Sequence, residues 1–307
     1  MMNRKSFIRN TSALFAASFI SESFASSAHN CPSTSTAPLK LKKGISYYMI
    51  KEDLSVADKF KLVKDLGFDG IEINSPGTLD IKELLKARDL SGVEILGTVN
   101  KDHWSKPLSS PEGSVQQFIV DSVAKSIEET KQLGGDTVLV VPGVVNAQVS
   151  YETAYQTAQK NIRKLIPYAE KHKVKIALEN VWNNFILSPV EAKRFVDEIN
   201  HPLVGWYFDV GNVLRYGWPE HWIETLGNCI FKVHIKEFSR KVMNEQGLGK
   251  GFGVPLTEGD IDWKVVIQSL QKINYKGEYL VLELGSADQA QLQDFSNRLD
   301  KIIGYNV

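Results

Sequence analysis

From residue 44 onward, short runs of β-branched and aromatic residues alternate with longer stretches whose apolar positions recur every three to four residues. The short runs fall at 45–50, 70–74, 93–99, 137–141, 174–179, 205–209, 231–235 and 279–284. Each is a brief, largely apolar run, the pattern of a strand covered on both faces of a parallel sheet. The intervening periodicity is helical. The stretch 55–66 stops at Gly67, 111–133 stops at Gly134-Gly135, and Tyr151–His172 carries an apolar stripe through Ala154, Ala158, Ile162, Leu165 and Ala169. Glycine at such stops supplies the left-handed residue that ends a helix. Ser188-Pro189-Val190-Glu191 predicts a helix start, with an N-cap serine, a proline at the first helical position and a capping-box acid. Eight strands separated by helical stretches predict a single-domain α/β fold, the (β/α)8 barrel, which typically takes about 250 residues. An open doubly wound sheet is the rival, but no GxGxxG follows the first strand.

The first 43 residues follow another pattern. Arg4, Lys5 and Arg9 form a basic head, a brief apolar run surrounds Leu14 to Ile20, and small residues follow at Ser23-Phe24-Ala25 and Ser26-Ser27-Ala28. That order reads residues 1–28 as an export signal peptide, with processing near Ala25 or Ala28 and a periplasmic destination. Arg4-Lys5-Ser6-Phe7-Ile8 resembles a twin-arginine signal with one arginine replaced by lysine. Ala28-His29-Asn30 ahead of Cys31 makes a poor lipidation box. Residues 29–43 read as a linker, rich in Ser, Thr and Pro over 29–40, and the barrel occupies 44–307.

Composition narrows the function classes. The 307 residues are 43% hydrophobic, enough for a full core and too many for a mostly disordered chain. Lys+Arg and Asp+Glu both number 36, so no diffuse positive field exists to hold nucleic acid. Two cysteines, Cys31 and Cys229, cannot build a disulfide framework. No apolar stretch approaches the roughly 20 residues of a membrane span.

In a barrel of this kind chemistry sits where strands end, at the C-terminal rim. The last four strand candidates end on Glu179, Asp209, His234 and Glu283, each after a hydrophobic run. A carboxylate in such a place is costly unless a cation or a donor network receives it. Four consecutive strands converge on one side of the mouth, so these side chains can meet around a single ion. Three carboxylates and an imidazole suit one divalent cation (Mn²⁺, Mg²⁺, Co²⁺ or Zn²⁺) with positions left for water or substrate.

The order Glu, Asp, His, Glu on strands five to eight resembles the xylose isomerase-like barrel superfamily. The local wording is similar to its ketose and L-xylulose 5-phosphate 3-epimerases: Glu179, Asp209-Val210-Gly211-Asn212, His234-Ile235-Lys236-Glu237 and Glu283. Glu258-Gly259-Asp260-Ile261-Asp262-Trp263 is similar to a family segment placed before the last helix. The resemblance implies a metal-dependent isomerase or epimerase acting on a ketose or keto-sugar. Glu179 and Glu283 would be the acid/base pair, removing and returning a C3 proton through an enediolate, and Asp209 and His234 would be ligands only. Inverting a stereocentre calls for a base on each face, and a Lewis acid must carry the developing oxyanion.

Weaker substrate-binding candidates are Glu72, expected to point into the mouth and hold a sugar hydroxyl; Asn212; Lys236, facing a hydroxyl or phosphate or pairing with Glu237; and Trp182, packing on the sugar. Asn212 stands where some relatives carry a histidine, which argues against the multi-zinc endonuclease branch. The run 247–253 is rich in glycine but lacks the Ser or Thr of a phosphate loop, and reads as a mobile loop over the ligand. A lyase or dehydratase on a keto-sugar or cyclitol, and a sugar-binding barrel without catalysis, stay open, as does assembly into a homo-oligomer. Export favours a free or oxidised sugar over a phosphorylated one.

Overall fold

The computed structural model describes residues 38–307. The expected export signal lies outside the described residues. Eight parallel strands close into a barrel in chain order, with the eighth pairing to the first. They are β1 (Lys42–Ser46), β2 (Gly70–Ser75), β3 (Glu94–Asn100), β4 (Thr137–Val140), β5 (Lys175–Glu179), β6 (Val204–Asp209), β7 (Ile230–Ile235) and β8 (Tyr279–Leu282). Around them run α1 (Val56–Asp65), α2 (Ile81–Ser91), α3 (Gly113–Leu133), α4 (Tyr151–His172), α5 (Pro189–Ile199), α6 (Pro219–Leu226), α7 (Arg240–Gln246), α8 (Trp263–Lys272) and α9 (Gln289–Ile303).

The chain enters the barrel two residues earlier than the sequence pattern suggests. Lys42 and Lys43 belong to β1, and the first strand ends at Ser46 instead of residue 50. Polar side chains are tolerated there because both have partners: Lys42 pairs with Glu94 and Lys43 with Asp300 on α9. After β7 the chain inserts α7 and a 3-10 turn, Leu248–Gly253, before α8. The acidic segment 258–263 therefore precedes α8, and α9 is the last helix.

Local signals act as their chemistry dictates. Ser55 and Ser188 accept the backbone N–H of Asp58 and Glu191, capping α1 and α5. The Glu191 carboxylate accepts Leu187 N, one residue before the cap, so the reciprocal capping box forms instead at Asp288 and Gln291 of α9. Gly97 is fixed by close approach: a Cβ on it would stand 2.0 Å from the Thr137 carbonyl oxygen.

Two cores follow from the alternation of side chains along each strand. Leu96, Leu139, Ala177, Tyr207, Tyr279 and Val281 fill the barrel interior. Ile176, Leu178, Trp206, Phe208, Val233, Ile235, Leu280 and Leu282 point outward and pack with the helices. Truncating a fully buried anchor such as Trp206 to alanine costs about 3–5 kcal/mol. The same alternation turns Glu179, two residues after Ala177, and Asp209, two after Tyr207, into the barrel. Glu72, flanked by the outward Ile71 and Ile73, also faces inward.

Candidate metal centre and active site

Packing brings the four strand-end residues together. One ligand atom from each of Glu179, Asp209, His234 and Glu283 lies within 4.8 Å of all the others. Glu179, Asp209 and His234 are buried, and Glu283 is partly open to the mouth. His234 Nδ1 is 3.0 Å from Glu179 Oε1 and 3.1 Å from Glu283 Oε2.

The other edge of the imidazole reaches Glu72. His234 Nε2 lies 3.1 Å from Glu72 Oε1 and 3.3 Å from its Oε2. The Tyr207 hydroxyl donates to Glu72 Oε2 at 2.8 Å, and the Ser46 hydroxyl donates to Oε1. An ionised carboxylate only accepts and carboxylates face both ring nitrogens, so each edge of His234 donates in the ion-free site; with Nδ1 given to a cation, the proton that stays is the one Nε2 donates to Glu72. Tyr207 also packs on the ring, centroid to centroid 4.1 Å. Glu72 thus sits beneath the site and orients a histidine, and its carboxylate does not point into the mouth as the sequence suggested. It is the third residue of six in β2, too deep to reach a sugar lying on the rim.

Of the two expectations for Lys236, the pairing with Glu237 does not form, while the Lys236 side chain does line the mouth cavity. Its ammonium stands 2.6 Å from Glu283 Oε2 and 2.9 Å from Asp209 Oδ2. Glu237 turns away to accept Thr257 N and Trp263 Nε1. Asn212 braces the site: its backbone N–H donates to Asp209 Oδ1 at 2.7 Å, and its side-chain amide donates to the Asn180 carbonyl. Asn180, which the sequence reading did not single out, exchanges two hydrogen bonds with the Asp209 backbone. Trp182 donates to the Asn212 carbonyl and packs on Phe252 at 4.9 Å. Phe252 belongs to the glycine-rich run, which forms a 3-10 turn over the mouth.

Burial and charge push the two glutamates apart. Burial, with the charge of Glu283 beside it, raises the Glu179 carboxyl to about 7. Burial also acts to raise Glu283, but the charges of His234 and Lys236 outweigh it and hold that carboxyl well below its usual range. Burial raises Asp209 against the opposing pull of Lys236 and His234. Burial disfavours the charged His234, yet Glu283 and Glu72 raise it well above its ordinary value.

The donor set fits a divalent cation. Asp209 Oδ2 and Glu283 Oε2 are buried and accept no well-directed hydrogen bond, although the Lys236 ammonium is close. Such oxygens are costly to leave without a cation. Above them opens a cavity of about 480 Å³, lined among others by Tyr48, His103, Trp104, Trp182, Lys236 and Phe252. That is room for a small sugar-sized ligand.

Residues 60–301 match the family model described as xylose isomerase-like TIM barrel. The chain belongs to this family. It is 23% identical over 239 residues to an L-ribulose-5-phosphate 3-epimerase of Shigella flexneri, covering 73% of this chain and 80% of that protein. It is 27% identical over 237 residues to an inosose dehydratase of Clostridium perfringens, covering 71% of this chain and 78% of that protein. Among solved structures it resembles an L-ribulose 3-epimerase at TM-score 0.72 and 17% identity, covering 87% of this chain and 95% of that one. It also resembles IOLI protein with a binding zinc atom, at TM-score 0.73 and 18% identity, covering 87% and 99%.

Proposed function

We propose that the protein is a divalent-metal-dependent epimerase of a ketose or keto-sugar, with Glu179 and Glu283 as its acid/base pair. The observation that carries this reading is the convergence of Glu179, Asp209, His234 and Glu283 within 4.8 Å at the floor of the mouth cavity. The relatives named as 3-epimerases support it. Glu179, Asp209, His234 through Nδ1, and Glu283 would hold the ion. When bound, it supplies Lewis acidity that polarises a sugar carbonyl and lowers the cost of the charge that develops there.

The protein's own groups do the proton work. Glu283, with the Lys236 ammonium against it, is the base that takes the proton from the carbon beside the carbonyl, leaving an enediolate. Glu179 is the partner that returns a proton to the opposite face. In the reverse direction the two exchange roles. Asp209 keeps its orientation through Asn180 and Asn212, and His234 keeps its through Glu72. Lys236 carries a donor that can follow the substrate oxygen, since it already stands against both Asp209 and Glu283.

We further propose that the chain is exported by residues 1–28 and acts on a free or oxidised sugar. N-terminal sequencing of the protein recovered from native cells tests export, and a panel of unphosphorylated ketoses and keto-glycosides set against their phosphate esters, assayed with and without Mn²⁺, tests the sugar class. Metal-dependent turnover of the unphosphorylated members is the expected result, and turnover of the esters alone would reverse the substrate class. The relative named inosose dehydratase favours a second reading, in which the same base removes the proton and a neighbouring hydroxyl departs as water. Ultraviolet absorbance of an unsaturated product separates the two.

A further inference from the structure

His103, in the loop after β3, is buried to 3% exposure yet lines the mouth cavity together with Glu179, Lys236 and Glu283. Its Nδ1 accepts the backbone N–H of Val141 at 3.3 Å. A backbone N–H only donates, so Nδ1 carries the lone pair and the ring proton is on Nε2. No acceptor among the described residues meets that Nε2–H. Burial lowers the imidazole to about 4 and keeps it uncharged near neutral pH. The ring is edge-on to Trp104, 5.8 Å between centroids, and Trp104 lines the same cavity.

We propose that His103 contacts the substrate, donating from its fixed neutral Nε2–H to a carbonyl or hydroxyl oxygen of the bound sugar. A neutral imidazole is a good partner for such an oxygen: it stabilises partial negative charge without adding a full charge to the crowded acids. The fixed tautomer also sets specificity, because a protonated amine placed there meets a second donor and no acceptor. This assignment rests on the epimerase reading and adds a substrate contact from the loop after β3, across the mouth from the ligands of β5 to β8.

The test pairs two variants with a nitrogen spectrum. His103→Asn keeps an oxygen near Nδ1 to receive Val141 N–H but has no donor at Nε2. His103→Gln places an amide donor near Nε2. The substrate is whichever of D-fructose, D-tagatose and D-psicose the Mn²⁺-loaded protein turns over fastest. H103N should lower kcat/KM by about tenfold, the weight of one neutral hydrogen bond, and H103Q should restore part of it. In ¹⁵N-histidine spectra of the Zn²⁺-loaded protein, His103 should hold the Nε2–H tautomer, and that resonance should shift when the ketose is added. Unchanged kcat and KM in H103N, or a resonance unmoved at saturating ketose, overturns the assignment while leaving the epimerase reading intact. If the wild-type protein turns over no keto-sugar, free or phosphorylated, the epimerase reading falls and the His103 assignment falls with it.

Discussion

His234 Nε2 lies 3.1 Å from the Glu72 carboxylate, on the edge of the ring turned away from Glu179 and Glu283. Three donors converge on Glu72, from Ser46, Tyr207 and His234, so it works as an acceptor and fixes the imidazole. Carboxylate–histidine pairs of this kind raise ligand basicity and hold the ring in place.

Glu72→Gln turns an amide N–H₂ toward at least one of those donors. The variant should fold and lose about 10- to 100-fold in metal affinity. Competition against a fluorescent zinc chelator measures this, and wild-type affinity would show that Glu72 does not orient His234.

Lys236 is the ammonium set against Asp209 and Glu283. Replacing it by methionine leaves two buried carboxylates without that partner, a change typically worth about 3–5 kcal/mol. Chelator-treated K236M should therefore melt well below chelator-treated wild type. Added Mn²⁺ should close most of the gap, because an ion that binds the folded state stabilises it by mass action. Thermal melts with and without Mn²⁺ read both effects, and a gap indifferent to metal would separate Lys236 from the ion site.

The depressed imidazole of His103 predicts a pH dependence of stability. Its folded value, about 4, lies below the unfolded value near 6.5, so the unfolded chain binds the extra proton between them. The contribution is present in full above pH ~6.5 and is lost as pH falls toward ~4. Between pH 7 and pH 5 wild type should lose about 2 kcal/mol more than H103N. Urea unfolding of both at the two pH values checks the difference, and equal losses would mean that His103 protonates freely in the folded protein.

Much of this arrangement is written in the alternation of residues along the strands. Glu179, Asp209 and Glu283 each follow an interior residue (Ala177, Tyr207 and Val281) by two, and His234 stands between the outward Val233 and Ile235, so parity alone sends all four into the barrel. Depth is another matter. Whether Glu72 opens onto the mouth or lies under it depends on where β2 sits against β1 and β3, and on the register shift between Ile71 and Glu72. Those offsets come from barrel closure, which no local pattern encodes. The Lys236 contacts were hidden for a similar reason: neighbouring Glu237 offers a pairing that is close in sequence, but its carboxylate is taken by Trp263 and Thr257. His103 carried no spacing signal at all, since its partner Val141 arrives from the next strand.

The two glutamates should separate binding from chemistry. Glu283→Gln and Glu179→Gln each keep an oxygen for the ion but remove a base. Each should retain appreciable metal affinity while losing about 10²- to 10⁴-fold in turnover. Variants that bind metal and epimerise at the wild-type rate would leave both acids as ligands alone.

The most direct measurement follows the substrate proton itself. The Mn²⁺-loaded protein is incubated in deuterated water with the ketose it turns over, and deuterium at C3 is read by NMR in both epimers. A two-base exchange predicts solvent deuterium in the inverted product. In E283Q and E179Q, deuterium should enter only on the face served by the surviving glutamate, with inversion lost. Inverted product formed without solvent deuterium in the wild type, or full inversion in both variants with metal bound, would contradict the account.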